Sequence, residues 1–315
     1  MRKFYILFFF FLILSACSPI MQQPTSFPTV TASPIPTSTP TFLPSPTIPP
    51  YQTLLSIDDQ LPGAAPQRFG ESFFSGSFHS APVFSPDMKT MWWGGEYGSA
   101  TIYFSQFSEG EWSDPETIAF SESITSYRDP FISPDGSKFY FISTTADTDS
   151  SSTGKENIWM VEKQGNSWGE PQPLPPSINE LTLHWTMSVD NQYNLYFSAQ
   201  KDGKPDIYIS RFIDGGYADP KPLDAPVNTD EIEITPNIAP DGSYLLFTRL
   251  ESNVDPPFLY ITYAQDLGWS EPVRVENVSY CISPIITPDR AYVIYLSSPD
   301  SFDWRDTSFI EELQP

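Results

Sequence analysis

Cysteine and histidine are almost missing from this chain, at two of each in 315 residues. With Cys17 and Cys281 as the whole supply, no Cys/His spacing for zinc exists, and no cofactor or metal is expected. Basic residues are also scarce, 16 Lys and Arg against 39 Asp and Glu, a formal charge of −23. A field of that sign opposes nucleic acid and anionic lipid surfaces. Cations, basic peptides and neutral sugars stay open as partners. Long apolar runs are lacking too. The longest, Phe4 to Leu14, has eleven residues, where a membrane-spanning helix needs about twenty. There is no phosphate-binding glycine loop and no nucleophile elbow.

What the chain has is a repeated phrase, a Pro-Asp turn leading into an aromatic strand. It occurs as Ser85-Pro86-Asp87, Ser133-Pro134-Asp135-Gly136, Ser188-Val189-Asp190, Ala239-Pro240-Asp241-Gly242 and Thr287-Pro288-Asp289. The aspartates lie 48, 55, 51 and 48 residues apart. Pro presets the first corner, the Asp carboxylate bonds an N–H two residues on, and Gly takes the left-handed position. The third turn departs from the phrase, with Val189 in the Pro slot and Asn191 in the Gly slot. Met88 and Arg290 stand where Gly is preferred, which predicts a different turn type there.

Each unit carries an apolar run before the turn, two aromatic, β-branched runs after it, and a closing Gly, aromatic and Pro, as in Gly165, Trp168 and Pro171. Four short strands in about fifty residues make one blade of a β-propeller. Five units fit between Pro66 and Leu313, so the expected fold is all-β, a five-bladed propeller of four-stranded antiparallel blades. The fifth unit stops after its third strand, near Phe309-Ile310. Pro66 to Phe69 resembles the fourth-strand pieces Pro171 to Leu174 and Pro220 to Leu223. This N-terminal strand is therefore expected to complete the last blade and remove an exposed edge.

Residues 1–16 read as a signal peptide, with Arg2-Lys3 ahead of the apolar run. Leu14-Ser15-Ala16-Cys17 resembles the bacterial lipobox, which implies cleavage before Cys17 and lipidation of its thiol. Ser18 is not the Asp that favours inner-membrane retention, so the resemblance points to the outer membrane or cell surface. Residues 17–50 form a linker; from Ser18 on it has ten Pro, seven Thr and five Ser and no charge, a stalk of polyproline character. Residues 51–315 are assigned to the propeller. Loss of Arg2 and Lys3 leaves 14 basic against 39 acidic residues, or −25. Cys281 would then be the one cysteine besides the anchor, so no intrachain disulfide forms. It reads as a small core residue. A monomer is expected.

The phrases Ser133 to Phe141 and Asp206-Ile207-Tyr208-Ile209-Ser210 resemble the WD40-like, Pro-Asp type β-propeller repeats found in TolB. Leu61 to Pro66 and Ser308 to Leu313 are similar to the ends of bacterial single-propeller proteins of that type. The resemblance implies the fold but not an activity, because such repeats occur both in binding modules and beside peptidase domains. The Ser-x-Asp-x-Gly-x-Thr-Trp box of sialidases is absent.

In a propeller, the segments feeding the innermost strands ring one mouth of the central channel. Here they contain His79, Arg128, Asp129, His184, Trp185, Glu231 and Glu233, a candidate ligand-binding set. The expected function is a noncatalytic module that binds a glycan, peptide or envelope protein. The alternatives are a glycosidase using Asp129, Glu231 and Glu233 as acid and base, or an assembly role in an envelope complex. Asp147, Asp149 and Ser151, followed by Glu156, alternate oxygens as Ca²⁺ loops do, but lack the Gly at the sixth position and read as a polar hairpin tip.

Overall fold

The structure, a computed structural model, describes residues 54, 57, 58, 60–95, 100–145, 155–200, 203–251 and 256–315, except the side chains of Leu183 and His184. The signal segment, Cys17, the linker, and Asp147, Asp149 and Ser151 of the hairpin tip lie outside the described residues. Among the described residues no helix is long and apolar enough to cross a membrane.

Among the described residues five antiparallel blades follow one another along the chain, with a separate two-stranded hairpin of Phe212–Ile213 and Gly216–Tyr217. Blade 1 is Val83–Phe84, Thr90–Gly94, Ile102–Ser108 and Glu116–Thr117. Blade 2 is Arg128–Ile132, Lys138–Ser143, Asn157–Gln164 and Gln172–Pro173. Blade 3 is Thr182–Val189, Leu195–Gln200, Asp206–Ser210 and Lys221–Pro222. Blade 4 is Ile232–Ile238, Tyr244–Leu250, Phe258–Gln265 and Val273–Arg274. Blade 5 is Ile282–Ile286, Tyr292–Ser298 and Ser301–Asp306, completed by Gln67–Phe69. The architecture is thus the five-bladed β-propeller expected from the period of the turns. Gln67, Arg68 and Phe69 pair with Trp304, Asp303 and Phe302, so the first strand closes the ring. After the third strand of blade 5 the chain turns into a short helix, Ser308–Glu312, rather than continuing as strand through Phe309.

The alternating aromatic residues of the second and third strands fill the space between blades. Phe139, Phe141, Phe197, Phe247, Tyr295 and Trp304 are all fully buried. Burial of each such ring stabilises the fold by roughly 1.5–3 kcal/mol. Two asparagines repeat one bracing device that was not read from the sequence. Asn179 accepts from Ile158 N–H and donates to the carbonyls of Ile158 and Leu174. Asn228 does the same with Ile207 and Leu223. Each side chain satisfies edge backbone groups that would otherwise be buried without partners.

In all five turns the aspartate accepts from the N–H two residues on, in the order Lys89, Ser137, Gln192, Ser243 and Ala291. The third turn has another register than the sequence suggested. Tyr193 N–H bonds Asp190 carbonyl, as Gly136 N–H bonds Ser133 carbonyl, so Asp190 occupies the Ser position of the phrase. Its carboxylate does the work of both residues, accepting from Gln192 N–H at 2.8 Å and Asn194 N–H at 2.9 Å. The left-handed slot is therefore Tyr193, not Asn191. Met88, Tyr193 and Arg290 have φ of 56°, 61° and 63° beside 72° and 74° for Gly136 and Gly242. Met88 and Arg290 thus adopt the glycine conformation instead of changing the turn type, at a cost of roughly 1–2 kcal/mol each.

Candidate functional site

The two ends of the inner strands form two different surfaces. At the end where each inner strand begins, the backbone bulges in four blades. Register shifts fall between Arg128 and Phe131, Leu183 and Met187, Ile234 and Asn237, and Ile282 and Ile285. Within these bulges Asp129, Trp185, Thr235 and Ser283 have φ of 48°, 48°, 51° and 55°. The bulges join neighbouring blades around the axis. Ala81 N–H donates to Ser283 Oγ, Ser283 N–H to Thr235 Oγ1, and Thr235 N–H to Ser198 Oγ, at 3.2, 3.2 and 3.3 Å. Cys281 backs this ring as a fully buried core residue whose carbonyl accepts from Thr248. Burial pushes its thiol well above the ordinary range, which makes it a poor nucleophile.

The bulge at Asp129 aims its carboxylate across the junction between blades 1 and 2. His79 Nδ1 lies 2.7 Å from Asp129 Oδ1, with 10% and 1% of their side chains exposed. Burial alone would lower the histidine pKa. The Asp129 charge and hydrogen bond outweigh it, so His79 titrates above its ordinary 6.5. The Trp185 ring lies 6.4 Å from the imidazole. Arg128 pairs with Glu156 at 3.3 Å, both partly exposed, and their charges also act on His79. Four of the seven sequence-derived residues, His79, Arg128, Asp129 and Trp185, thus form one cluster. His184 lies on the same bulge by its backbone.

Glu231 and Glu233 belong to a separate cluster in blade 4. Glu233 is completely buried. Its carboxylate accepts from Thr229 Oγ1 at 2.6 Å and from Arg249 Nε at 2.9 Å. Arg249 is its cross-strand neighbour, stacks 4.6 Å from the Tyr260 ring centroid, and donates to the carbonyls of Pro226 and Val227. Burial pushes the Glu233 carboxyl up, and the bonds from Thr229 and Arg249 pull it back only in part. Glu231 lies beside this pair, its N–H donating to Thr229 Oγ1. The partners Glu156, Thr229 and Arg249 were not identified as such from the sequence, because each reaches its mate across a turn or between strands.

At the opposite end, the Pro-Asp turns enclose an apolar concavity of about 190 Å³ on the axis. Pro86, Pro134, Pro240 and Pro288 ring it, with Asn191 in the fifth place, over a floor that includes Phe131, Val189, Ile238 and Ile285. The signal for it was present as four prolines at one slot of the repeat and an apolar residue ending each inner strand. Among the described residues no three His, Cys, Asp or Glu side chains gather so as to hold a metal ion.

No protein-family model matches the chain, and no curated protein matches it. Solved structures do. A protein assigned as TolB from Agrobacterium tumefaciens aligns at 18% identity and a TM-score of 0.48, over 70% of this chain and 69% of the other. TolB from Acinetobacter baumannii aligns at 15% and 0.48, over 71% and 53%, so the chain spans about half of that protein. A thermostable family-43 glycoside hydrolase aligns at 10% and 0.48, over 73% and 89%. The chain is similar to these TolB-like and other β-propellers, and its five blades rest on its own strand pairing.

Proposed function

We propose that this protein is a noncatalytic binding module, a propeller carried on a lipid-anchored stalk that holds a glycan, peptide or protein partner at the polar mouth. The observation that carries the noncatalytic reading is the closure of the two buried carboxylates. Asp129 is bonded to His79 and Glu233 to Arg249, at 1% and 0% exposure. A glycosidase needs one carboxyl to protonate the leaving oxygen and another to reach the anomeric carbon or a water beside it. Asp129 and Glu233, sealed in this way, reach neither, so neither of the two can serve as the second carboxyl for partly exposed Glu231. The same pairs fix the mouth's shape, which suits recognition. A partly buried Trp185 beside His79, and the Arg128–Glu156 pair at the rim, offer an aromatic edge next to hydrogen-bonding groups.

The anchor is part of this proposal. Lipidation of Cys17 would tether the chain, and the uncharged Pro/Thr/Ser segment would hold the propeller clear of an envelope membrane. Two assays test the reading on the full chain. Incubation with insoluble polysaccharides such as xylan, arabinan and peptidoglycan should retain the protein without releasing reducing ends, and Trp185→Ala should weaken retention. Release of reducing ends that stops in Asp129→Asn would contradict it. In cells, Cys17→Ala should move the protein from the membrane to the soluble fraction.

A further inference from the structure

The left-handed slot of each turn decides whether the junction behind it is bridged. Tyr193 of blade 3 donates its hydroxyl back to Asp135 of blade 2 at 2.6 Å. Arg290 of blade 5 donates back to Asp241 of blade 4 at 2.7 Å. These two side chains sit in a strained conformation, and the bonds they make across the junctions offset that strain. Between blades 1 and 2 the slot holds Gly136. Its backbone lies so close to Pro86 that an added Cβ would meet the proline ring at 3.2 Å. No side chain from that slot reaches Asp87, and an open trough of about 520 Å³ runs there instead.

Trough and axial cavity adjoin, with Pro86 and Ile132 in the walls of both. The aromatic side chains of Trp92, Phe104 and Trp168 wall the trough. Exposed Asp87 and Asp135 also line it, Asp135 accepting from Tyr193, together with Lys163. The four prolines carry no backbone N–H, and most of the cavity's lining is apolar, with Ser133, Asn191, Asn237, Thr287 and Arg290 as its polar members. An apolar side chain suits the mainly apolar lining, where Arg290 is already paired with Asp241, and a cation beside it meets Asp87, Asp135 and the acidic field of the chain.

We infer that this turn-side depression is a second binding site, distinct from the polar mouth, for an extended basic peptide. One large apolar side chain fills the proline-ringed cavity, and the Lys or Arg that follows it lies over Asp87 and Asp135 as the chain leaves along the blade 1–blade 2 trough.

Fluorescence anisotropy on the full chain tests this with labelled hexapeptides of sequence GSFKKG, GSSKKG and GSFEEG. The first should bind, and the other two should bind at least tenfold more weakly. Ile286→Trp, which fills the cavity from its wall, should abolish binding while leaving the thermal melt in place. Asp87→Asn, at an exposed position, should weaken GSFKKG by roughly two- to fivefold at low salt, the size of an exposed ion pair, and the difference should vanish in 1 M salt. Failure of GSFKKG to bind at millimolar concentration would overturn the inference. So would equal binding of all three peptides. Binding insensitive to both Ile286→Trp and Asp87→Asn but lost in Trp185→Ala would place the peptide at the polar mouth and also overturn it.

Discussion

The two mouths of the channel are built by opposite means. At one, charged and polar side chains are drawn in and each buried carboxylate is tied to a cation, giving a rigid polar surface. At the other, prolines and β-branched residues leave a mainly apolar cavity, and the aspartates beside them hold their own turns while Asp135 and Asp241 also accept from the next blade. The difference follows from what each end of the inner strand must do. The bulged end has to satisfy backbone groups displaced from the ladder, so it recruits Ser, Thr and Asp. The turn end satisfies much of its backbone within each turn, with a few bonds such as Asn191 N–H to the Pro240 carbonyl crossing between blades, and its prolines have no donor to satisfy.

The largest effect that could break this comparison is at the blade 4 pair. Arg249→Met leaves Glu233 buried without its cation and should cost roughly 3–5 kcal/mol in urea unfolding. Glu233→Gln keeps the hydrogen-bonding shape and should cost much less. If both cost the same, the pair is not the closed unit described above.

A middle-sized effect is expected at Asp129→Asn, about 1–3 kcal/mol at pH 6, since Asn tolerates the left-handed backbone there and only the bond to charged His79 is weakened. Its pH dependence sharpens the test. The folded pKa of His79 lies above the ordinary 6.5, so the stabilisation is fully present below that value. It should fade as pH rises through the raised value. The difference in stability between wild type and Asp129→Asn should therefore shrink from pH 6 to pH 9, and a difference that grows would contradict the assignment.

The smallest effect concerns the junction bridges. Tyr193→Phe removes one hydroxyl bond to Asp135 and should cost about 0.5–1.5 kcal/mol. Arg290→Gly removes a bridge but also relieves a left-handed residue, so its net change in melting should be slight. A large loss there would mean that the bridge matters more than the strain.

Blade number and ring closure were legible because the turn phrase recurs at nearly constant spacing, and because Pro66 to Phe69 looks like a displaced fourth strand. The third turn misled, since Asp190 takes over a Ser role and the loop is shortened by one residue, which no local pattern discloses. Met88 and Arg290 were misjudged for a related reason. Their left-handed backbone is held by the rest of the repeat, and for Arg290 also by a partner 49 residues away. At the polar mouth, the segments were legible from their distance to the turns, but not the pairings. His79 with Asp129, and Glu233 with Arg249, depend on bulge geometry and cross-strand register. The apolar mouth was overlooked because each proline has a sufficient local role as a turn residue.

The most direct test of the central claim is a polysaccharide retention assay on the full chain with reducing-end release measured in the same tube. Retention should depend on Trp185, with no release above buffer. Release that Asp129→Asn or Glu233→Gln abolishes, in a protein that still melts cooperatively, would contradict it.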